Sequence, residues 1–351
     1  MDTLKIKISH LYDKTLKISL IILNLSLFIL TIIIFLRSFW QLHLSKPANP
    51  DIPKTFIIKP NQSCKQIANY MEKQNLITSS SQFIKWAIIW GMDRDLKAGK
   101  FNFIGNQSLF QIITRLSSSE SFVETITIVE GLTIKEIAGT LGSLNINEEK
   151  FLSLCSDPKF IDMLGIHATS LEGYLFPDTY RFFYGESEEK IIKLMIKRFN
   201  SVLDSLKIKD SLIYKTSKIK KGLIIASIVE KESRYIPERP LIASVFWNRI
   251  KNNWRLDSDV TVHYALNDWD KALTRKDLKM SSPYNTRKYK GFPPTPICNP
   301  GKSSIQAAFF PDKTDYMFFI ASGDKQGSSI FTKKLRKHNK VKHQLKKEGR
   351  L

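Results

Sequence analysis

Residues 220–233 read KKGLIIASIVEKES, and their spacing predicts a helix that ends on carboxylates. Ile224, Ile228 and Glu232 stand four apart and share one helical face, so Glu232 continues an apolar stripe near the C-terminal end. Apolar neighbours penalise the charged form, and the helix C-terminus adds negative potential. Both raise a carboxyl's pKa toward the range useful for a general acid near neutral pH. Glu230 lies about 200° around the helix and is expected to face solvent or an arginine. Ser233 can hydrogen-bond a substrate or orient the Glu232 carboxyl. The competing reading of Glu232 is a structural ion pair with Arg234, Arg239 or Arg249, and periodicity alone does not choose.

The elements around this helix follow from pattern. Helices are predicted at 148–154, 158–164, 188–206 and from Pro237 to about Lys251, then a short one at 303–309. Strands are expected at 98–104, 316–321 and 329–332, before a basic C-terminal helix. The stretch from Leu256 to Gly301 is rich in Pro, Asn, Ser and Gly. It is long for a structureless loop, so it is expected to be functional or to carry short helices. Further upstream, residues 58–68 (IKPNQSCKQIA) and 128–138 (IVEGLTIKEIA) align without a gap, with a fainter copy from Asn106 to Ile112. Each reads as a strand end, a turn and a helix N-capped by Ser63, Ser108 or Thr133.

The chain holds 351 residues with 54 Lys and Arg against 33 Asp and Glu, a formal net charge of +21. Such a surface attracts anionic lipid, acidic wall polymers or nucleic acid. No nucleic-acid motif is present, so nucleic acid is not expected as a partner. Basic residues gather before the first apolar run (Lys5, Lys7, Lys14, Lys17) and at the C-terminus from Lys333 to Lys347. Cys64, Cys155 and Cys298 lie far apart with no CxxC spacing. They read as buried free thiols rather than zinc ligands, His263 has no partner at ligand spacing, and no metal or cofactor is expected.

Ser19 to Leu36 is an uncharged 18-residue run. At 1.5 Å per residue it extends ~27 Å, close to the hydrocarbon thickness of a bilayer. Four lysines precede it and no small-x-small cleavage site follows. Residues 18–40 therefore read as an uncleaved anchor in the cytoplasmic membrane, with a cytoplasmic tail (1–17) and everything after Trp40 outside. Pro47, Pro50 and Pro53 mark residues 41–53 as a stiff linker.

Six segments then recur in a recognisable order: LEGYLFPDTY (171–180), ASIVEKES (226–233), VFWNRI (245–250), LDSDVTVHYAL (256–266), SPYNTRKYKGFPPTPICNPG (282–301) and FTKKLRKHN (331–339). Their order and spacing resemble the YceG-like (MltG) family of endolytic murein transglycosylases, over roughly residues 55–345. The strand–turn–helix repeats also resemble LysM wall-glycan-binding modules. The resemblance implies an α+β chain: a single transmembrane helix, a LysM-like α+β module at 54–144, and a mainly helical lysozyme-like catalytic domain with short strands at 145–351. It further implies non-hydrolytic cleavage of the MurNAc-β-1,4-GlcNAc bond of peptidoglycan glycan strands, leaving 1,6-anhydroMurNAc ends and limiting strand length. Glu232 takes the position of the family's catalytic glutamate and Ser233 that of its partner. Glu172, Asp178, Asp259, Thr261, Tyr264, Tyr284, Asn285 and Thr286 are candidate substrate-binding residues around it. His338–Asn339 is expected to close the domain structurally. Peptidoglycan polymerases at the membrane face are the implied protein partners.

One departure is visible. The family's Asp-Pro-Thr is Asp259–Val260–Thr261 here, which puts the rigidity of that loop in question. Two other readings stay open. A lysozyme-like hydrolase would use a second carboxyl, for which Glu172, Asp178, Asp257 and Asp259 are candidates. A non-catalytic wall-binding scaffold would need only the anchor and the repeats.

Overall fold

A computed structural model describes residues 2–43, 54–59, 62–103, 107–118, 123–208 and 216–350. The chain is mixed α+β, mostly helical, with three short two-stranded sheets among the described residues. It forms two compact units, Met1–Val123 and Glu124–Leu351.

The first unit opens with α1 (Asp2–His43), whose segment Leu16–Arg37 is long and apolar enough to cross a membrane and has no buried residue. The predicted linker falls almost wholly outside the described residues, since 44–53 are not among them. Next come β1 (Lys54–Ile58), α2 (Cys64–Lys73), α3 (Ser80–Ile89), β2 (Gly99–Phe103) and α4 (Leu109–Ser117). β1 and β2 pair antiparallel, with Lys54 opposite Phe103 and Ile58 opposite Gly99. Alternation sends Phe56, Ile58, Phe101 and Phe103 to one face of this ribbon, where they bury against Ile67, Met71, Phe83 and Ile113 of the helices. Ser63 and Ser108 each close a capping box: the hydroxyl accepts from the N–H three residues on, and Gln66 or Gln111 reaches back to the cap N–H.

Thr133 makes the same box with Glu136 at the start of α5 (Ile134–Thr140), as the repeat predicts. Its tertiary setting differs. Residues 124–144 were expected in the N-terminal module, but Ile126, Ile128, Ile134, Ile137, Leu141 and Leu144 bury in the core of the second unit, with Phe151 and Leu171. The physical reason is pairing. β3 (Val123–Thr127) forms a sheet with β4 (Thr179–Phe183), and Ile128 N donates to Asp178 O at 2.9 Å. Between these strands run α6 (Glu148–Leu154) and α7 (Pro158–Met163), and α8 (Glu188–Ser205) follows β4.

The core of this unit is organised by α9 (Thr216–Glu232), which packs against α10 (Arg239–Lys251), α11 (Val260–Leu266) and α12 (Lys302–Phe309). Residues Leu223 to Val229 are seven in a row at 1% exposure or less. The helix is thus buried on all sides here and not only along the stripe read from Ile224 and Ile228. Each of its Leu, Ile and Val side chains contributes about 1.5–3 kcal/mol by leaving water. Ser227, inside this run, donates to Ile224 O at 2.8 Å and accepts from Ile297 N at 3.0 Å, so its hydroxyl is satisfied. β5 (Phe318–Ala321) and β6 (Ser329–Thr332) pair antiparallel, and α13 (Leu335–Lys347) packs on both. The His338 ring lies 5.4 Å from that of Phe318. Cys64, Cys155 and Cys298 are free thiols, the last two buried.

Gly173, in the LEGYL segment, has φ +87°, and a Cβ there would lie 2.6 Å from the Pro296 ring. Proline cannot swing away as a flexible side chain would. Gly173→Ala should therefore cost about 2–4 kcal/mol, combining left-handed strain with overpacking. A lowered denaturant midpoint at unchanged m-value is the expected reading.

Candidate active site

α9 leaves the core at Val229, so the next residues must place charged side chains at its edge. Two glutamates do this in opposite ways. Glu230 is locked: the Arg239 Nη2 donates to its Oε1 at 2.8 Å, and Gly301 N donates to its Oε2 at 2.8 Å. Both side chains of this pair are nearly closed to solvent, at 6% and 7% exposure. Arg239 also donates to Ser303 and lies 3.9 Å from Glu130. Glu230 thus takes the arginine alternative expected for it.

Glu232 is largely buried and makes no ion pair with a described residue. Ser258 donates to its Oε1 at 2.6 Å. Burial pushes the Glu232 carboxyl above the usual carboxylate range, and the negative Asp259 adds to this. The Ser258 hydrogen bond and the more distant charges of Arg249 and Arg287 oppose the shift without cancelling it. Ser233, its neighbour, turns its hydroxyl to Tyr235 O at 3.0 Å and so secures the turn after the helix rather than the carboxyl.

Ser258 is itself held by the long loop. Its N–H donates to Thr286 Oγ1 at 3.2 Å, and its carbonyl accepts from Thr261 Oγ1 at 2.8 Å. Thr261 and Thr286 share a hydrogen bond of 2.9 Å, and both are buried. Asn285, fully buried, donates to Leu278 O at 3.1 Å and Met280 O at 2.9 Å, which shapes the loop that carries Thr286. Asp259 stands at the start of α11 and pairs with Arg287 Nη1 at 2.6 Å. Val260, in place of the expected proline, occupies the first helical position. A proline's missing N–H would cost nothing there, so α11 starts with either residue.

Thr261 and Tyr264 lie three apart on α11 and therefore face the same way. Tyr264 joins a second cluster, donating to Glu172 Oε2 at 3.2 Å, with its ring 4.9 Å from that of Tyr284. Tyr284 in turn bonds Thr295 at 2.7 Å. Glu172 is buried and accepts also from Ile134 N at 3.1 Å and Asn299 Nδ2 at 3.0 Å. Burial nevertheless raises its pKa to about 8. The structure thus brings Glu232, Thr261, Thr286 and Asp259 together and joins Glu172, Tyr264 and Tyr284 in a neighbouring network through α11. Asp178 belongs to neither: its Oδ2 pairs with Arg198 Nε at 2.5 Å, and its Oδ1 accepts from Thr179 N at 2.8 Å.

Ser258, Arg287 and Asn299 were not singled out from sequence, and Arg249 was named only as an ion-pair alternative for Glu232. Ser258 sits inside the quoted LDSD segment, but only its contact with Glu232 distinguishes it from any loop serine. Asn299 is a hub: its Oδ1 accepts from Gly173 N and Leu175 N, and its Nδ2 donates to Leu132 O and Glu172. Beside the carboxyl, Lys231 Nζ sits 3.9 Å over the Trp269 ring, which stacks against His263 at 6.1 Å.

The YceG-like family model matches residues 56–344. An endolytic murein transglycosylase of Bacillus subtilis is 34% identical over 318 residues, covering 85% of this chain and 87% of that protein. Another, of Streptococcus pneumoniae, is 29% identical over 301 residues, and the match spans 75% of this chain but only 53% of the longer relative. A crystal structure of a YceG-like protein from Listeria monocytogenes superposes with a TM-score of 0.55 at 31% identity, over 83% of this chain and 99% of that one. With a family match running from the first strand to the C-terminal helix, the chain belongs to the YceG-like family.

Proposed function

We propose that this chain is an endolytic lytic transglycosylase that cuts the MurNAc-β-1,4-GlcNAc bond of nascent peptidoglycan strands outside the cytoplasmic membrane, with Glu232 as its acid and base. The observation that carries this reading is the contrast at the end of α9. Glu230 is neutralised by Arg239, whereas Glu232 keeps a raised pKa and a single hydroxyl donor. A carboxyl in that setting keeps its proton to higher pH than an exposed one and can give it up to a leaving oxygen.

Protonated Glu232 donates to the glycosidic oxygen, and the GlcNAc leaves. The resulting carboxylate takes the proton of the muramoyl 6-hydroxyl, whose oxygen closes on the anomeric carbon to give the 1,6-anhydro end. Ser258 keeps the carboxyl in one orientation through both transfers. The names of the relatives support the substrate, and the placement of the other carboxyls supports a one-carboxyl mechanism. Glu172 is occupied by three donors, Asp178 by Arg198, and Asp259 by Arg287, with Asp257 3.9 Å from the same guanidinium. A hydrolase would need one of these to activate water or attack the sugar.

The remaining assignments follow the same reading. Residues 18–40 act as a single-pass anchor with the N-terminus in the cytoplasm, and the β1–α2–α3–β2 arrangement of the first unit serves as a LysM-like wall-binding module. Cutting close to the membrane limits strand length beside the peptidoglycan polymerases.

Glu232→Gln keeps the shape and removes the acid, so release of soluble glycan should fall by at least about 10²–10⁴-fold. Mass spectrometry of the products should show 1,6-anhydroMurNAc ends for the wild type. Reducing MurNAc ends would sink the mechanism in favour of a muramidase, and equal release by both forms would remove Glu232 from catalysis.

The raised carboxyl also fixes two pH dependences. Activity should decline as pH rises through the Glu232 pKa, because the acid form is lost. Ser258→Ala removes a donor that favours the carboxylate, so this alkaline limb should move to higher pH while the rate drops about 10–100-fold. For stability, the folded chain holds the Glu232 proton more tightly than the unfolded chain. Stability is therefore lost as pH climbs from the ordinary carboxyl range to the raised value, and Glu232→Gln should be at least as stable as wild type at neutral pH.

Arg239→Met tests the other glutamate. Leaving Glu230 buried without its cation should cost about 3–5 kcal/mol of stability. The pH profile of the surviving activity should keep its position, since Glu232 is untouched.

A further inference from the structure

The C-terminal basic run plays no part in the chemistry above, yet the fold gives it a defined face. α13 packs on the β5–β6 ribbon through Leu345, with Val341 and His338 half-buried. Arg336, Lys340, His343 and Lys347 follow at i, i+4, i+7 and i+11, so they line the opposite, exposed side over about 16 Å. The helix contains no acidic residue, and none of Arg336, Lys340 and Lys347 has an ion-pair partner among the described residues.

Exposed apolar groups flank α13 on its ribbon side and at its start, where a purely electrostatic surface would have none. α10 ends in a left-handed Asn253 (φ +52°), with Trp254 N donating to Arg249 O at 2.7 Å, and this cap turns Trp254 outward. The Trp254 ring is 42% exposed and meets Phe318 edge-on at 5.9 Å, while Phe318 touches His338 of α13. Leu335, one turn before His338, is 48% exposed. Lys251 and Arg255 flank Trp254 and are exposed as well.

An indole and a leucine rimmed by unpaired cations match the chemistry of a bilayer interface, where acyl boundary and anionic headgroup lie side by side. A soluble polyanion would use the cations but leave Trp254 and Leu335 in water. We propose that the α13 face, with the Trp254 turn, docks on the anionic phospholipid surface of the membrane that anchors the chain. This inference rests on the anchor reading above for the membrane's presence, and not on the catalytic mechanism. Its consequence for the enzyme is positional. Trp254 precedes Ser258 by four residues, so docking would hold the loop that orients Glu232 at the membrane face, where new strands emerge.

The test is acetylation footprinting of the full chain in lipid nanodiscs, with Lys159 of α7 as internal reference. In discs containing phosphatidylglycerol, Lys340 and Lys347 should react roughly threefold or more slowly than in pure phosphatidylcholine discs, and high salt should abolish the difference. The charge-reversed variant R336E/H343E, which keeps both reporter lysines, should lose the protection with an unchanged unfolding midpoint, and Trp254→Ser should weaken it. Equal reactivity in both discs would overturn the proposal. So would protection by soluble polyphosphate in neutral discs without any by phosphatidylglycerol, which would assign the face to a wall polymer. Co-migration with neutral discs reports on α1 separately. If the chain fails to co-migrate, the anchor reading falls, and added phosphatidylglycerol vesicles still test the α13 face.

Discussion

A carboxyl group at the edge of an apolar core has three ways to avoid the cost of an unpaired buried charge: a cation, a set of hydrogen-bond donors, or a retained proton. α9 places two glutamates in that position, and the rest of the second unit is arranged around how each is satisfied. Glu230 takes the cation, together with a backbone N–H from Gly301. Glu232 takes one hydroxyl and a raised pKa. The first solution is inert and stabilising relative to a lost partner. The second disfavours the charged form, at the expense of stability above the ordinary carboxyl range. Two residues apart on one helix, the two carboxyls are satisfied in opposite ways.

That division depends on the segment from Leu256 to Gly301, which has almost no regular ladder of its own. Side chains do the work that backbone pairing does elsewhere. Asn285 satisfies two carbonyls, Thr261 and Thr286 tie the two arms of the loop together, and Asn299 uses both donors and its acceptor oxygen to join three segments. Because these groups are buried, each lost bond leaves a polar atom dry, a cost of about 1–3 kcal/mol. The loop is therefore stiff despite its composition, and Ser258 inherits that stiffness. The pair Gly173 and Pro296 belongs to the same economy, since close contact between the LEGYL and NPG segments is what lets Asn299 reach both.

Much of the local structure was legible in advance. Helix 148–154 and strand 329–332 appear with the predicted bounds, and helix 303–309 differs by one residue. The three predicted caps all form, because a capping box is a contact among residues three apart and needs no tertiary partner. The same repeat misled on organisation. Its copy at 128–138 looks like the others but buries in the second unit, because β3 finds its partner in β4 about fifty residues later. Identical local grammar carries no information about which core will receive the apolar face.

The site divides along the same line. Residue type and helical spacing alone determined that Glu232 sits at the end of an apolar run and that Glu230 points elsewhere, since both follow from 3.6 residues per turn. The family's motifs determined which glutamate to compare with a catalytic one. Only the tertiary structure decided that Arg239 belongs to Glu230, that Ser233 turns away to Tyr235, and that Ser258, 26 residues downstream, is the hydroxyl on Glu232. It also removed Asp178 from the group by pairing it with Arg198. The reason is physical: a hydrogen bond or ion pair across the core depends on how distant segments pack, and no periodicity within either segment encodes the other's position.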